Sequence, residues 1–313
     1  MSWSDALAEP KPLVPVIVGP TAVGKTAVVL ALRRHWQVLA ISADSRQVYR
    51  GLDIGTAKPT AEQQRLVPHL GIDLVDPGER YSAGRFARDA AAWLASCDPA
   101  LQPVVVGGTG FYVRALADGL FREPPMDRGR RDRLRAWCAD VAGIGGWAVR
   151  LDPGYRGGGR QRAARAVEIA LLTGRPLSWW QAAAKADGIM RPWYVRLTVP
   201  RAVLHRRIER RARAMLREGL IEEVRAILDR GVRSDAPGLD SIGYREVVQL
   251  LQGTMPEHDL PDAIALATRR YAKRQETWFR HQLIGHPVVT LDATDESPLL
   301  ADRIAELWAE RGS

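Results

Sequence analysis

The chain has 313 residues, of which 46% are hydrophobic and 26% are charged. These values fit one large globular domain or two modest ones, and they exclude wholesale disorder, a fibre and a disulfide-stapled miniprotein. The longest apolar runs fall far short of the about 20 residues of a transmembrane helix, and the N-terminus lacks the apolar core of a signal peptide. The two cysteines predict neither a disulfide framework nor a cysteine-bound zinc. We therefore expect a cytoplasmic protein with no membrane partner.

Basic residues are concentrated in the middle of the sequence. Residues 1–127 contain 13 Lys/Arg and 13 Asp/Glu, residues 128–280 contain 30 and 17, and residues 281–313 contain 2 and 6. A net charge of +13 in the central region indicates a polyanionic partner. The alternative is compositional bias, because 40 of the 45 basic residues are arginine and could simply lie on solvated helix faces.

Strands and helices alternate along most of the chain. Apolar, β-branched runs predict strands at 14–18, 38–42, 103–106, 195–199 and 288–291. Helical patterns lie at 27–34, 82–97, 110–117, 130–141, 161–172, 201–216, 221–230, 244–251, 262–281 and 298–310. This alternation is typical of an α/β fold in which helices cover both faces of a parallel sheet.

The alternation stops between residues 123 and 189. Two helical stretches lie there, and the glycine-rich segment 143–159 between them is predicted to be irregular and mobile. The sequence therefore predicts a small helical insertion at 123–189, within a core formed by residues 13–122 and 190–313.

The first predicted strand leads into a phosphate-loop motif. The motif G-x-x-x-x-G-K-[ST] is matched at every fixed position by the residues Gly19, Pro20, Thr21, Ala22, Val23, Gly24, Lys25 and Thr26. Its backbone N–H groups and the following helix N-terminus suit phosphate oxygens, Lys25 adds a positive charge, and the Thr26 hydroxyl can bind Mg²⁺. The motif predicts a diphosphate or triphosphate ligand without identifying it as ATP.

Asp44 follows the second predicted strand, and the carboxyl ends of parallel strands face the ligand crevice. Asp44 could bind a water of Mg²⁺, accept a proton from a substrate, or serve only as a structural cap. The third strand ends in Gly107 and Gly108, where an ordinary P-loop ATPase would carry an acid for Mg²⁺. This difference argues against a GTPase or a motor ATPase.

Five motifs occur in the order found in the tRNA dimethylallyltransferase family. They are GPTAVGKT, DSRQVYRGLDIGTAKP, VVVGGTGFYVRAL, GLDSIGYREV and KRQETWFR. The chain resembles the bacterial type of this family over residues 14–282. The resemblance implies a P-loop kinase-like core that transfers a dimethylallyl group from dimethylallyl diphosphate to N6 of the adenosine 3′-adjacent to the tRNA anticodon. It implies the anticodon stem-loop and dimethylallyl diphosphate as partners, and we expect a monomer.

The resemblance also implies roles for individual residues. The phosphate loop, Mg²⁺ at Thr26 and the side chain of Arg211 would stabilise the diphosphate leaving group, and Asp44 would accept the proton of the adenine amine. The residues implied to contact tRNA are Asp44, Ser45, Arg46, Gln47, Thr109, Gln161, Arg162, Ala163, Ala164, Arg165, Asp240, Ser241, Ile242, Gly243, Tyr244, Arg245, Lys273, Arg274, Gln275, Glu276, Thr277, Trp278, Phe279 and Arg280. Thr109 could instead cap a helix, Trp278 could belong to the core, and either Arg207 or Arg210 could take the role of Arg211.

Three other functions use part of the same motif set. A P-loop small-molecule kinase needs the phosphate loop but no basic region, and an adenylate prenyltransferase needs the loop and Asp44 but no RNA surface. A non-enzymatic RNA-binding module would have no use for Lys25 and Thr26 opposite Asp44.

Overall fold

The computed structural model describes residues 11–121, 126–184 and 187–311. These residues form two compact units. The first unit, the core, contains the described residues up to Ala117 and from Ile189 onward, and the second, the insertion, lies between Asp118 and Gly188. Residues 122–125, which include the predicted junction between 122 and 123, and residues 185–186 lie outside the described residues.

A parallel sheet forms the centre of the first unit. The strands are β1 (Leu13–Val18), β2 (Val38–Ser42), β3 (His69–Leu70), β4 (Gln102–Gly107), β5 (Arg191–Thr198) and β6 (Val288–Asp292). In the described part of the chain they form one sheet in the order β3-β2-β4-β1-β5-β6, and every strand pair is parallel. All carboxyl ends therefore lie at one edge, and the predicted α/β fold class is confirmed.

Helices flank this sheet. Those of the core are α1 (Lys25–Leu32), α2 (Ala61–Leu66), α3 (Ala83–Ala95), α4 (Gly110–Ala117), α9 (Arg201–Arg217), α10 (Leu220–Asp229), α11 (Tyr244–Leu251), α12 (Leu260–His281) and α13 (Ser297–Ala309). Helix α1 packs against α13, α9 against α12, and α3 against α4. None of the described helices is long and apolar enough to cross a membrane.

Two short elements of the core were not predicted from the sequence. Helix α2 has only six residues, and its first turn is held by a capping box between Thr60 and Gln63. Strand β3 has two residues and pairs with β2 at the edge of the sheet. Both elements are too short to establish a periodic hydrophobic pattern, so their signals are local caps and turns.

The insertion contains the helices α5 (Arg128–Asp140), α6 (Ile144–Leu151), α7 (Gly159–Thr173) and α8 (Leu177–Ala183). The prediction of an irregular segment between the two expected helices is wrong for α6. Ile144 and Ala148 share a helix face because they are four residues apart, and both are buried in the insertion core with Val167. Burial of this apolar face outweighs the low helix propensity of Gly145 and Gly146.

Candidate active site

The loop between β1 and α1 carries the phosphate-binding motif at the carboxyl edge of the sheet. Gly19 and Gly24 have φ angles of +151° and +110°, and a Cβ atom at Gly19 would lie 2.6 Å from the carbonyl oxygen of Leu197. These positions require glycine because a side chain would clash or be strained. No side chain caps the N-terminus of α1. Its N–H groups and helix dipole are therefore directed at whatever anion lies in the loop.

Lys25 extends back across this loop. Its Nζ donates hydrogen bonds to the carbonyl oxygens of Gly19 and Pro20, each at 2.9 Å. Burial lowers the pKa of Lys25 to about 8, the negative charge of Asp44 opposes this shift, and the positive charge of Arg211 adds to it. Lys25, Asp44 and Arg211 therefore interact electrostatically in one site.

The arginines of α9 take different positions around the loop. Arg211 donates from Nη1 to the Thr21 hydroxyl at 3.1 Å, and burial lowers its pKa. Arg207 instead donates to the carbonyl oxygens of Val23 and Ala293, both at 2.9 Å, while Arg210 is exposed. Arg211 therefore contacts a side chain of the loop and Arg207 contacts its backbone, and the choice of Arg211 as the diphosphate ligand stays a prediction.

Asp44 follows β2, and Thr109 fixes the backbone on both sides of it. The Thr109 N–H donates to the carbonyl oxygen of Ala43 at 3.1 Å, and its hydroxyl oxygen accepts from the N–H of Ser45 at 3.0 Å. Asp44 Oδ1 accepts from the N–H of Arg46 at 2.9 Å. The carboxylate is therefore held by its own loop, and its second oxygen has no hydrogen-bond partner among the described residues.

Glycines after β4 allow the loops of the site to approach one another. A Cβ atom at Gly107 would lie 2.2 Å from the carbonyl oxygen of Ala43, and one at Gly108 would lie 2.1 Å from Gln275 Nε2. At Gly107 the neighbouring atom is backbone and cannot give way, and at Gly108 the Gln275 side chain would have to move. The absence of side chains at the end of β4 is thus what brings the Asp44 loop, the Thr109 loop and helix α12 together.

Two side chains hold the DIGTAKP segment that follows the Asp44 loop. Glu223 accepts hydrogen bonds from the N–H groups of Asp53 and Ile54 at 3.1 and 3.0 Å. The Tyr244 hydroxyl accepts from the N–H of Gly55 at 3.1 Å and donates to Glu223 at 2.5 Å. Tyr244 is fully buried. The Tyr244 hydroxyl is therefore used within the protein, and the assignment of Tyr244 to tRNA stays a prediction.

Tyr271 is a site residue that the sequence reasoning missed. It lies on α12 beside Asp44 and Thr109, and burial raises its pKa to about 12, with a further upward contribution from Asp44 and a downward one from Thr109. The guanidinium of Arg274 lies 5.6 Å from the centre of its ring. Its spacing of four residues from Gln275 was the available signal, since residues i and i+4 share a helix face.

The residues around the loop fit a magnesium ion. Mg²⁺ prefers oxygen ligands and commonly retains several waters, with one or two protein oxygens and the substrate phosphates completing its shell. The Thr26 hydroxyl makes no hydrogen bond to the described residues, and the Asp44 carboxylate has an unused oxygen. No group of three or more His, Cys, Asp or Glu side chains suited to a metal occurs in the described ranges. A substrate-assisted site therefore fits better than an all-protein one.

The core residues assigned to tRNA by resemblance fall into three groups. The exposed ones are Asp240, Arg245, Lys273, Arg274, Thr277 and Arg280. The partly exposed ones are Asp44, Ser45, Arg46, Gln47, Thr109, Ile242, Glu276 and Trp278. The buried ones are Ser241, Gly243, Tyr244, Gln275 and Phe279. The buried residues pack within the core, and their assignment to tRNA stays a prediction.

Gln47 is also used internally. Its Oε1 accepts from the Ser42 hydroxyl at 2.8 Å, and its Nε2 donates to the carbonyl oxygens of Thr56 and Ala57 at 3.3 and 3.2 Å. The indole nitrogen of Trp278 lies 2.1 Å from the position that a Cβ atom of Gly110 would take. This close packing favours a structural role for that edge of the ring.

In the insertion, the helix assigned to tRNA is α7. Gln161 and Arg162 are exposed, Ala164 and Arg165 are partly exposed, and Ala163 is buried in the insertion core. Arg165 donates to Glu168 at 2.8 Å, and the same buried carboxylate accepts from Arg131 at 2.7 Å and Arg135 at 3.3 Å. Arg165 therefore contributes to the internal structure of the insertion, whereas Arg162 does not share this ion pair.

The family model for IPP transferase matches residues 47–282. The chain belongs to the IPP transferase family. A tRNA dimethylallyltransferase of Halorhodospira halophila is 43% identical over 282 residues, which cover 86% of this chain and 90% of the relative. A tRNA dimethylallyltransferase of Magnetococcus marinus is 38% identical over 282 residues, which cover 84% and 90%. The resemblance found in the sequence motifs is confirmed.

Solved structures of the family share this fold. The full-length tRNA isopentenylpyrophosphate transferase of Bacillus halodurans superposes with a TM-score of 0.70 at 36% identity, covering 96% of each chain. A eukaryotic dimethylallyltransferase acting on tRNA superposes with a TM-score of 0.80 at 26% identity, covering 96% of this chain and 80% of that one.

Proposed function

We propose that this protein is a tRNA dimethylallyltransferase, which transfers a dimethylallyl group from dimethylallyl diphosphate to N6 of the adenosine 3′-adjacent to the anticodon. The observation that carries the proposal is the convergence of Lys25, Arg211 and Asp44 at the carboxyl edge of the sheet, in a chain of the IPP transferase family. This arrangement combines an anion site with a nearby carboxylate, which are the two elements the reaction needs.

The reaction breaks the bond between carbon 1 of the dimethylallyl group and the diphosphate oxygen. That bonding pair leaves with the diphosphate, while the adenine N6 supplies the pair that forms the new carbon–nitrogen bond. Negative charge thus accumulates on the departing oxygen, so groups that stabilise an anion there lower the barrier. The uncapped N-terminus of α1, Lys25 and Arg211 provide this stabilisation.

The charge state of Lys25 should depend on whether diphosphate is bound. With its pKa lowered to about 8 in the protein alone, a measurable fraction is neutral just above neutral pH. A diphosphate in the loop would favour the ammonium form and raise the pKa. Mg²⁺ held by Thr26 and the diphosphate oxygens would supply further positive charge to the leaving group.

Asp44 accepts the proton that N6 loses on alkylation. Its position is set by hydrogen bonds of the Thr109 N–H to Ala43 and of the Thr109 hydroxyl to the N–H of Ser45, so the backbone on both sides of Asp44 is fixed. A positioned carboxylate of this kind acts as a general base. Tyr271 beside it stays protonated across the working pH range, so it can donate a hydrogen bond but cannot compete for the proton.

The anticodon loop is single-stranded, which allows its bases to be splayed out for chemistry at an exocyclic amine. The exposed charged residues Arg245, Lys273, Arg274 and Arg280 provide a surface for its phosphates. Binding of this polyanion would use part of the excess positive charge in residues 128–280, and we propose that the enzyme acts in the cytoplasm.

The test supplies the purified protein with isotopically labelled dimethylallyl diphosphate and one acceptor at a time. Label should enter an unmodified anticodon stem-loop with adenosine at the expected position and should be absent from the same RNA carrying guanosine there. Transfer to AMP with none to RNA would indicate an adenylate prenyltransferase instead. Consumption of ATP with a small-molecule acceptor, and no prenyl transfer, would indicate a kinase.

A further inference from the structure

Gln275 makes two hydrogen bonds that link separate loops of the active site. Its side-chain Oε1 accepts from the backbone N–H of Thr21, and its Nε2 donates to the carbonyl oxygen of Gly108, both at 2.8 Å. The residue is only 5% exposed. It lies on α12, within the segment that the family resemblance assigns to tRNA, yet both the oxygen and the nitrogen of its amide bind the protein.

The fit around this amide is close. A Cβ atom at Gly108 would lie 2.1 Å from Gln275 Nε2, and one at Gly110 would lie 2.1 Å from the indole nitrogen of Trp278. Helix α12 therefore packs directly against the backbone of Gly108 and Gly110, which have no side chains. Because the amide is planar, a displacement of either partner would lengthen or bend one of its two hydrogen bonds.

One end of the link lies in the diphosphate site. Thr21 belongs to the phosphate loop, and its hydroxyl is the partner of Arg211 at 3.1 Å. Thr21 is thus bound by Gln275 through its backbone and by Arg211 through its side chain. Any displacement of the Thr21 backbone would therefore alter the hydrogen bond to the amide of Gln275.

The other end lies beside the proposed base. Gly108 is followed by Thr109, which bonds the residues on both sides of Asp44. The chain of contacts from the phosphate loop to the Asp44 loop therefore consists of Thr21, Gln275, the Gly108–Thr109 backbone and Ser45.

We infer that Gln275 is a positioning residue that couples diphosphate binding in the phosphate loop to RNA binding at the Asp44 loop. The inference rests on the proposed function, because it assigns the two substrates to the two ends of the link. Coupling between two sites is reciprocal and usually changes affinity by about 5- to 150-fold. Binding of a substrate at the phosphate loop or at the Asp44 loop should fix the position of the Gln275 amide. The fixed amide should then favour the loop geometry that the other substrate needs.

The experiment measures the affinity for an unmodified anticodon stem-loop with and without saturating magnesium diphosphate, which carries no group to transfer. The ratio of the two dissociation constants is the coupling factor. For the unsubstituted protein we expect a tightening of at least fivefold. For Gln275→Met, which keeps the length but loses both hydrogen bonds, we expect a factor near one, with each separate affinity within about threefold of normal.

Gln275→Asn keeps the amide but is one methylene shorter, so it can reach only one of the two partners. We expect its coupling factor to fall as well. Gln282→Met is the matched control, because Gln282 follows the same helix and is exposed. It should leave the factor unchanged. Equal coupling in Gln275→Met and the unsubstituted protein would overturn the inference.

A second measurement needs no substitution. RNA alone should slow hydrogen exchange in the phosphate-loop peptide that contains Thr21, although RNA does not occupy that loop. Unchanged exchange there would also overturn the inference. Failure of the proposed function has a different signature, namely absence of RNA binding and prenyl transfer in the unsubstituted protein.

Discussion

Asp44→Asn tests the proposed base with little change of shape. The hydrogen bond from the Arg46 N–H to Oδ1, at 2.9 Å, can be kept by the asparagine oxygen, and the clamp by Thr109 uses backbone atoms that the substitution does not alter. The substitution therefore removes the charge and the basicity of the side chain and leaves its position intact.

The expected loss follows from the role of a general base, which contributes about 10²–10⁴ in rate, or about 3–5 kcal/mol. We expect the rate constant for single-turnover transfer of labelled dimethylallyl to RNA to fall by this factor. The affinity for RNA should stay within several-fold of that of the unsubstituted protein. Diphosphate affinity should be equal or slightly higher, because a negative charge near the anion site is lost.

The assay should be run well below pH 8. The charge of Asp44 raises the pKa of Lys25, so the substitution lowers that pKa further and would otherwise mix loss of the base with deprotonation of the lysine. Asp235→Asn is the control, since Asp235 is an exposed carboxylate paired with Arg233. Turnover of Asp44→Asn close to that of the control would remove Asp44 from the mechanism.

Three further outcomes are expected. RNA affinity should weaken with salt, with a slope of log K against log salt of about −3.5 to −4.5 if about five phosphates are contacted; a slope near zero in a titration series would leave the central positive charge without a role in binding. Affinity for diphosphate should fall as pH rises above about 8, because Lys25 loses its proton in the protein alone, and calorimetry on Lys25→Met should show less of this dependence. Arg162→Ala should weaken RNA binding by about 1–3 kcal/mol without changing the melting temperature, whereas Arg165→Ala should lower the melting temperature because Glu168 loses a partner. Equal melting temperatures for these two variants would contradict the structural role of Arg165.

The sheet and the phosphate loop could be predicted because their signals are local. A β-rich run ending in Gly19 and a strict glycine–lysine–threonine spacing specify the loop without reference to the rest of the chain. Asp44 was predicted for a similar reason, since it directly follows a strand whose carboxyl end must face the crevice.

The remainder depends on contacts between distant segments. Gln275 shares a helix face with the apolar residues Ala272 and Phe279, but its polar side chain does not itself indicate burial, which depends on packing against Gly108. Tyr271 was missed for the same reason. Helix α6 was missed because its glycines have low helix propensity, whereas its burial depends on α7.

The close contact between Gly107 and Ala43 also limits how the enzyme could change its chemistry. Many ATPases place an acidic side chain at the end of the strand that adjoins the phosphate loop. Here even one added carbon at Gly107 would lie 2.2 Å from the carbonyl oxygen of Ala43, so a carboxylate there would force β2 and β4 apart and displace Asp44. A hydrolytic centre at Gly107 and an intact prenyl-transfer site are therefore sterically incompatible. A single substitution of Gly107 therefore cannot give an ATPase-like site without disrupting the position of Asp44.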